Sequence, residues 1–466
     1  MSLNVSSLAS AAAGLLALLM LSGCGGSAPA PRTTTSEPIP EPAASETITA
    51  ERASDLTMEQ DVATDDSQRE TIVAVMLPLS GADEAVGQAL LRATTMALFD
   101  AYDPSLKLLP LDTEGDPDIA ETRAAEAIEA GASIVLGPLL SANVRAVAGP
   151  LGDAGTPMLG FTNDSAAAGP DRFIMGFLPE AEVKRVVDHA VSAGLTNFGA
   201  LLPMGRYGER IRTAFGDTIA LAGAQVEAIE SYPPDPDALF EPVKRLARYD
   251  ERRDDVRREV RFLRALGDDV TDEIANELEE AEVMEGVEFD AVLVPEGGAL
   301  MRTLAPLLPF YEIDPNRVKL LGTGLWNDEG LLGEPPLQGA WFAAPDPGAP
   351  KDFLDRYQET YGEPAPRIAT LAYDAMSLVA LLARAEDKEA AEDEQNPSAT
   401  LMGDSRFSID RLLRPEGFSG IDGLFRFLPD GTTERALAVL EVNRRGFQVV
   451  DPAPTAFPSF GFALKN

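Results

Sequence analysis

The sequence predicts an α/β protein of two lobes, each built on a parallel sheet flanked by helices. Three observations predict this. Short, near-continuous apolar runs such as Ile72–Leu77 and Ser133–Leu136 suit strands buried on both faces, as in parallel sheets. Helical stretches alternate with these runs, which is the order of βαβ units. The alternation runs from Thr71 to about residue 190 and starts again at Asn197, so two sheets are expected.

In lobe one, residues 71–190, the run Thr71–Leu77 is the first strand. Pro78-Leu79-Ser80-Gly81 turns the chain into a helix, Ala85–Phe99. Leu106–Leu111 is the second strand. Asp116-Pro117 pairs a good N-cap with a proline at the first helical position, and opens the helix Asp118–Ala130. Ser133–Leu136 is the third strand, Gly137-Pro138 its turn, Ala142–Ala154 the next helix and Pro157–Phe161 the fourth strand.

The helix Glu180–Ala193 leads into lobe two, residues 191–325. There Asn197–Leu202, Gln225–Ile229, Asp290–Val294 and Val318–Leu321 read as strands, with the helix Tyr207–Ala222 after the first. Residues 326–452 are expected to return to lobe one, with Leu337–Ala343 as the returning strand. The amphipathic helix Ile368–Ala385 follows. Closing strands are expected near Leu424–Phe427, Ala436–Val442 and Gly446–Val450, with a hairpin turn at Asp430-Gly431 joining the first two. Residues 453–466 form a tail.

Lobe two carries an insertion, residues 243–287. Leu246, Tyr249, Val256, Val260, Leu263 and Leu266 fall near helical spacing, Gly267-Asp268-Asp269 is a stop, and Ile274, Leu278 and Ala281 mark a second helix. The arms of this helical hairpin differ in charge. Residues 244–264 hold nine Lys/Arg against five Asp/Glu, and residues 268–288 hold ten Asp/Glu and no Lys/Arg. Antiparallel arms are therefore expected to attract each other. The hairpin is either a solvated ornament or a docking element for a protein partner.

Ahead of the lobes, Ala9–Leu21 is an apolar run too short to span a bilayer comfortably, and it ends in Leu21-Ser22-Gly23-Cys24. A short apolar core followed by small residues reads as a signal peptide, residues 1–23. Leu-Ser-Gly-Cys resembles the bacterial lipobox, which implies a lipid-anchored Cys24, and Gly25 after it implies the outer membrane of a Gram-negative cell. The n-region departs from the usual pattern in having no Lys or Arg. Cys24 is the only cysteine, so no internal disulfide can form. Residues 24–70, rich in Pro, Ser, Thr, Ala and Glu, cannot bury enough surface to offset their ordering entropy and read as a tether.

The formal net charge of −38 repels phosphate backbones, which argues against nucleic-acid partners. Catalytic groups are scarce. The single histidine, His189, falls within a helix away from the strand ends, and no Walker sequence or two-histidine metal motif occurs. Asp112, Glu114 and Asp116 have the spacing that opens an EF-hand loop. Pro117 and Arg123 stand where such a loop needs Gly and Glu, so capping is the better reading. A non-enzymatic protein without cofactor or metal is expected.

Val75-Met76-Leu77-Pro78-Leu79-Ser80-Gly81, Gly87-Gln88, Asp112–Pro117, Ile134–Pro138 and Ala369–Ala375 together resemble the type I periplasmic-binding-protein fold. Within it they are similar to the leucine-binding-protein group, which includes amino-acid receptors of ABC importers. A narrower resemblance, carried by Gly137–Val144, Phe177–Glu180 and Pro203–Phe215, is to the carboxy-terminal domain of penicillin-binding protein activators. That likeness implies a periplasmic lipoprotein acting on a peptidoglycan synthase. The chain has only a tether where some of those proteins carry a helical-repeat domain.

In such a fold ligands bind between the lobes, at the carboxyl ends of the strands. The strand map nominates Ser80, Ser141, Thr162, Asn163, Tyr207, Glu296, Thr323 and Trp326. Ser80, Thr162 and Tyr207 offer hydroxyls to a carboxylate, and Glu296 offers a carboxylate to an ammonium. Leu139 and Leu140 occupy a turn where amino-acid receptors usually have small polar residues. Two functions follow: a regulator of cell-wall synthesis acting through a synthase, or a receptor that delivers a small amino-acid-like or amide ligand to an ABC permease.

Overall fold

Both faces of the first strand are covered, which is why its sequence shows no polar alternation. The computed structural model describes residues 70–280, 286–392 and 405–457, all within one compact unit. The expected signal segment, Cys24, all but the end of the tether, and residues 458–466 lie outside the described residues. Lobe one opens with β1 (Thr71–Leu77), α1 (Glu84–Ala101), β2 (Leu106–Asp112), α2 (Pro117–Glu129), β3 (Ile134–Leu136), α3 (Ser141–Ala154), β4 (Met158–Gly160) and β5 (Arg172–Ile174). The strands are parallel in the order β2-β1-β3-β4-β5, with Thr71 opposite Leu106 and Val73 opposite Ile134. Successive side chains of a strand point to opposite faces. Val73, Val75 and Leu77 therefore join one core with Leu90 and Ala93 of α1, while Ala74 and Met76 join another with Ala120 and Val144. Each fully buried Val, Leu or Met contributes roughly 1.5–3 kcal/mol.

Lobe two follows with α4 (Pro179–Ser192), β6 (Asn197–Pro203), α5 (Arg206–Ala222), β7 (Gln225–Tyr232), α6 (Phe240–Leu246), α7 (Tyr249–Leu266), α8 (Asp269–Glu280), β8 (Ala291–Leu293), α9 (Gly298–Leu304), α10 (Leu307–Phe310), β9 (Lys319–Gly322) and β10 (Trp341–Ala344). The chain ends with α11 (Lys351–Tyr361), α12 (Ala369–Glu392), α13 (Ile409–Leu412), β11 (Phe418–Gly420), β12 (Gly423–Phe427), β13 (Thr433–Arg435), β14 (Ala438–Asn443) and β15 (Gly446–Asp451). The large sheet has the order β15-β14-β10-β9-β8-β6-β7, and β11-β12-β13 form a separate small sheet.

This topology corrects the expected return to lobe one. Leu337–Ala343 does not cross back: β10 pairs in parallel with β9, Trp341 opposite Leu321. Its buried Phe342 packs in the core of the lobe-two sheet with Leu320 and Leu440. The return comes afterwards, where Phe353 and Tyr357 of α11 and Met376 and Val379 of α12 join the β1 core. The chain then goes back, since β14 pairs with β10 and β15 with β14, both antiparallel. The closing hairpin is also corrected. Asp430-Gly431 joins β12 to β13, and the run expected at Ala436–Val442 becomes a strand only at Ala438, in the other sheet. Residues 436–437 are spent on the crossing.

The first βα unit of each lobe uses the same device. Gly87 of α1 lies against the Pro78 carbonyl, where a Cβ would stand 2.0 Å from the oxygen. Gly208 of α5 lies against the Pro203 carbonyl, where a Cβ would stand 1.7 Å away. A residue with any side chain at either place would push its helix off its sheet.

The two arms of the hairpin are helices, α7 and α8. Their opposite charges give one ion pair across the arms among the described residues, Arg264 with Glu279. Other arginines of α7 pair inside their own helix, Arg257 with Asp254 and Arg258 with Asp255. An i,i+3 partner is nearer than one on the facing helix. None of the helices among the described residues is long and apolar enough to cross a membrane.

Candidate functional site

The nominated residues all lie in segments that follow the carboxyl ends of parallel strands. On lobe one a depression of about 410 Å³ is lined by Leu139, Leu140, Ser141, Phe161, Thr162 and Asn163, with Asp164, Phe177, Ile368 and Leu371 completing it. Its character is mostly apolar, and the two leucines read from the sequence do occupy it. α3 begins here. Its N-cap position is Leu140, which has no side-chain acceptor, so the first N–H groups of α3 have no cap. Such groups carry the positive end of the helix dipole.

Of the eight nominated residues, Ser141, Thr162 and Asn163 line this depression. Thr162 accepts a hydrogen bond from the Asp164 N–H at 3.1 Å. Ser80 does not line it. Its hydroxyl donates to Asp112 Oδ2 at 2.7 Å, and the N–H groups of Leu79 and Glu114 donate to Oδ1 of the same carboxylate. Burial works to raise the Asp112 pKa, but these donors outweigh it and hold the group below its ordinary value. Asp116 caps α2, accepting from the N–H groups of Asp118 and Ile119. The carboxylates of Asp112 and Asp116 are thus engaged in loop and capping bonds, and Glu114 takes part through its backbone N–H.

On lobe two, Tyr207 and Thr323 approach with oxygens 3.4 Å apart, and Glu296 accepts from the Tyr232 hydroxyl at 2.8 Å and from the Gly297 N–H at 2.9 Å. Burial raises the pKa of both tyrosines, and the Glu296 charge adds to the effect, so both remain neutral donors. Trp326 is elsewhere. The 3₁₀ turn Gly324–Trp326 folds its ring back over Gly322, where a Cβ would stand 2.2 Å from the indole, and the side chain is wholly buried beside Phe342. A strand-end position did not make it a cleft residue.

Sequence reasoning missed the groups that join the lobes. Asp164 accepts hydrogen bonds from Arg145 of α3 at 3.1 Å and from Arg206 of α5 at 3.2 Å, and Arg210 lies 3.7 Å away. Arg210 also donates to the Asn163 carbonyl and to both oxygens of Glu180, all at 2.7 Å, while the Ser165 hydroxyl donates to Glu180. Burial pushes the Asp164 and Glu180 carboxyls up, but the arginines outweigh it and hold both below their ordinary values. The i,i+4 spacing of Arg206 and Arg210 was readable. Their partner, over forty residues upstream, was not.

In the first turn of α4, where the chain first crosses, Glu182 is buried and accepts from the Gly324 N–H at 3.0 Å. Burial pushes its carboxyl up to about 7, against the pull of that N–H. Nearby, Arg435 is buried between the rings of Phe177 and Phe425, 4.0 Å from Asp374. His189 meets Asp451 at 3.2 Å and the edge of Trp341.

The two α/β lobes, with parallel strands flanked by helices, have the fold of type I periplasmic-binding-protein structures. Residues 71–248 match the family model described as periplasmic binding protein. The chain is similar in fold to a putative branched-chain amino acid ABC transporter from Rhodospirillum rubrum, with TM-score 0.62 at 20% identity over 82% of this chain and 100% of that one. It is also similar to the branched-chain amino acid substrate-binding protein LivJ of Streptococcus pneumoniae in complex with isoleucine, with TM-score 0.51 at 18% identity over 82% and 100%. An uncharacterized protein of Rickettsia prowazekii, RP748, is 22% identical over 39% of this chain, which spans about half, 48%, of that relative.

Proposed function

We propose that the chain is a non-enzymatic periplasmic receptor for a small carboxylate with an apolar body, of the class of branched-chain amino acids, serving an ABC importer. One observation carries this reading: the uncapped N-terminus of α3 opens onto the largely apolar depression of about 410 Å³. The N–H groups would receive the carboxylate. Leu139, Leu140, Phe161 and Ile368 would cover the apolar body, and Tyr207, Thr323 and Glu296 would close from lobe two. Nothing in this scheme needs a cofactor. Lipidation at Cys24 would hold the receptor to a membrane, with the outer membrane implied by Gly25.

Thermal-shift titration with branched-chain amino acids, other amino acids, amides and benzoate tests it. A ligand at about 100 times its Kd stabilises the protein by about 2.7 kcal/mol. No shift with any of these compounds would overturn the reading.

A second reading has its own support. Arg206 and Arg210 join the lobes directly, and Leu139 and Leu140 offer no side-chain donor. A cleft of that kind fits a protein that has given up small ligands for a partner, as in a penicillin-binding protein activator regulating peptidoglycan synthesis. Stimulation of a purified bifunctional peptidoglycan synthase from the same cell, with no thermal shift, is the result that would favour it.

A further inference from the structure

The hairpin α7–α8 leaves lobe two between β7 and β8 and turns at Gly267. Val260 and Ala275 are buried along the seam between its helices. Four large apolar side chains stay outside the seam. Phe262 is 58% exposed, Leu266 53%, Val270 66% and Ile274 45%. Phe262 and Leu266 are spaced i,i+4, as are Val270 and Ile274, so each pair stacks along its own helix. Each pair also lies on the same rotational side of its own seam residue. Because the helices run antiparallel, all four therefore share one face of the hairpin.

That face continues toward the body of lobe two. Glu259 and Asp255 lie one and two turns before Phe262 on the same side of α7. They rim a groove of about 730 Å³ floored by Leu246, Val256 and Phe289. The cations of the groove are engaged: Arg248 pairs with Glu251 and Glu288, and Arg252 with Glu312. α8 contains no Lys or Arg at all. Arg258, one turn before Phe262, is paired with Asp255, so the acids beside the apolar strip that have no cation among the described residues are Glu259 and, on α8, Glu277.

We propose that this face docks a basic amphipathic helix of a partner protein. The partner's apolar side would cover Phe262, Leu266, Val270 and Ile274, and its lysines or arginines would meet Glu259 and Glu277. Charge complementarity selects this occupant. A second copy of the chain would set these acids against their own kind. An anionic membrane would be repelled by Asp268, Asp269 and Asp272 at the tip. The proposal is independent of what the cleft binds.

The test is a fluorescence-anisotropy titration of the whole protein with a labelled Leu/Lys amphipathic helical peptide of about 18 residues. A peptide of the same composition, scrambled to abolish its apolar face, is the control. The wild type should bind the amphipathic peptide. The double variant Leu266→Ser, Ile274→Ser should bind it about tenfold more weakly, with binding of the scrambled peptide unchanged. Both positions are about half exposed, so the hairpin should persist, and unchanged helicity by circular dichroism checks this. Glu259→Gln should weaken binding and flatten its salt dependence, whereas Arg257→Gln on the opposite face should not. Equal binding of both peptides by the wild type, or equal affinity of the double variant, overturns the proposal. So does self-association of the wild type that the double variant abolishes, because that assigns the face to a second copy.

Discussion

Arg210 of lobe two donates to the backbone carbonyl of Asn163 in lobe one at 2.7 Å. The same guanidinium grips Glu180 through Nε and Nη2. Its side chain is only 19% exposed, against 72% for Arg206. The two arginines should therefore not be equivalent. Exposed ion pairs contribute about 0–1 kcal/mol, whereas removing one partner of a half-buried, hydrogen-bonded pair costs more. Arg210→Ala should destabilise the protein by about 1–3 kcal/mol and raise its radius of gyration in small-angle X-ray scattering as the lobes part. Arg206→Ala should change stability by less than about 1 kcal/mol. An Arg210→Ala protein with unchanged scattering would show that other contacts hold the lobes.

The cleft residues can be separated by a stability-against-affinity comparison. Ser80 spends its hydroxyl on Asp112, so Ser80→Ala should cost about 1 kcal/mol of stability and leave ligand affinity alone. Among the described residues the hydrogen bond of the Tyr207 hydroxyl is to Thr323, at a long 3.4 Å, and the proposed site would use that hydroxyl for the ligand. Tyr207→Phe should weaken carboxylate binding by about tenfold with little loss of stability, measured by isothermal titration and chemical unfolding. The reverse pattern would exchange the roles assigned to the two residues.

What the sequence showed of the fold, and what it hid, divides along physical lines. β1, β6 and the helices after them were legible because burial on both faces leaves unbroken apolar runs. The N-cap at Asp116 was legible because capping is local. β5 was not, since it has three residues, one of them Arg172. The destination of β10 was not, because an apolar run states that it is buried and not against which neighbour. Trp326 failed for the same reason: its place at a strand end was read correctly, and the turn that buries it depends on Gly322 four residues earlier. The arginines and acids that join the lobes pair over long separations, which no local pattern records.

Gly87 and Gly208 test whether the two lobes depend equally on close helix–strand approach. Neither has a left-handed φ, so an alanine there adds no backbone strain and any effect is steric. A Cβ at 2.0 or 1.7 Å from a carbonyl oxygen requires α1 or α5 to shift. Gly87→Ala and Gly208→Ala should each cost about 2–4 kcal/mol, read from chemical denaturation. Gly149 and Gly216, on helices with open space around them, are the controls, and Ala at either should stabilise slightly. A tolerated Gly208→Ala would mean that α5 can lift from β6 without cost.

Glu182 gives the fold a pH dependence whose sign is fixed by burial. Its ordinary pKa is 4.5 and the folded value is about 7, so the folded state binds the proton more tightly than the unfolded state. The folded protein therefore holds more protons between about 4.5 and 7, and the Glu182 contribution to stability falls as pH rises through that window. Above it the cost levels off at roughly 3 kcal/mol, because each tenfold difference in proton affinity between the folded and unfolded states is worth about 1.4 kcal/mol. Asp374, pushed up to about 7 by burial against the pull of Arg435, acts in the same direction. Asp164 and Glu180 act oppositely. Their lowered pKa values stabilise the fold above the ordinary carboxylate range, and that stability is lost on acidification. Glu182→Gln keeps an acceptor for the Gly324 N–H and removes the titration. The variant should match the wild type near pH 4.5 and exceed it by up to about 3 kcal/mol at pH 8, in unfolding curves collected across the range. A difference that does not change with pH would place the Glu182 proton equilibrium at its ordinary value, and the cause of any stabilisation would then be packing.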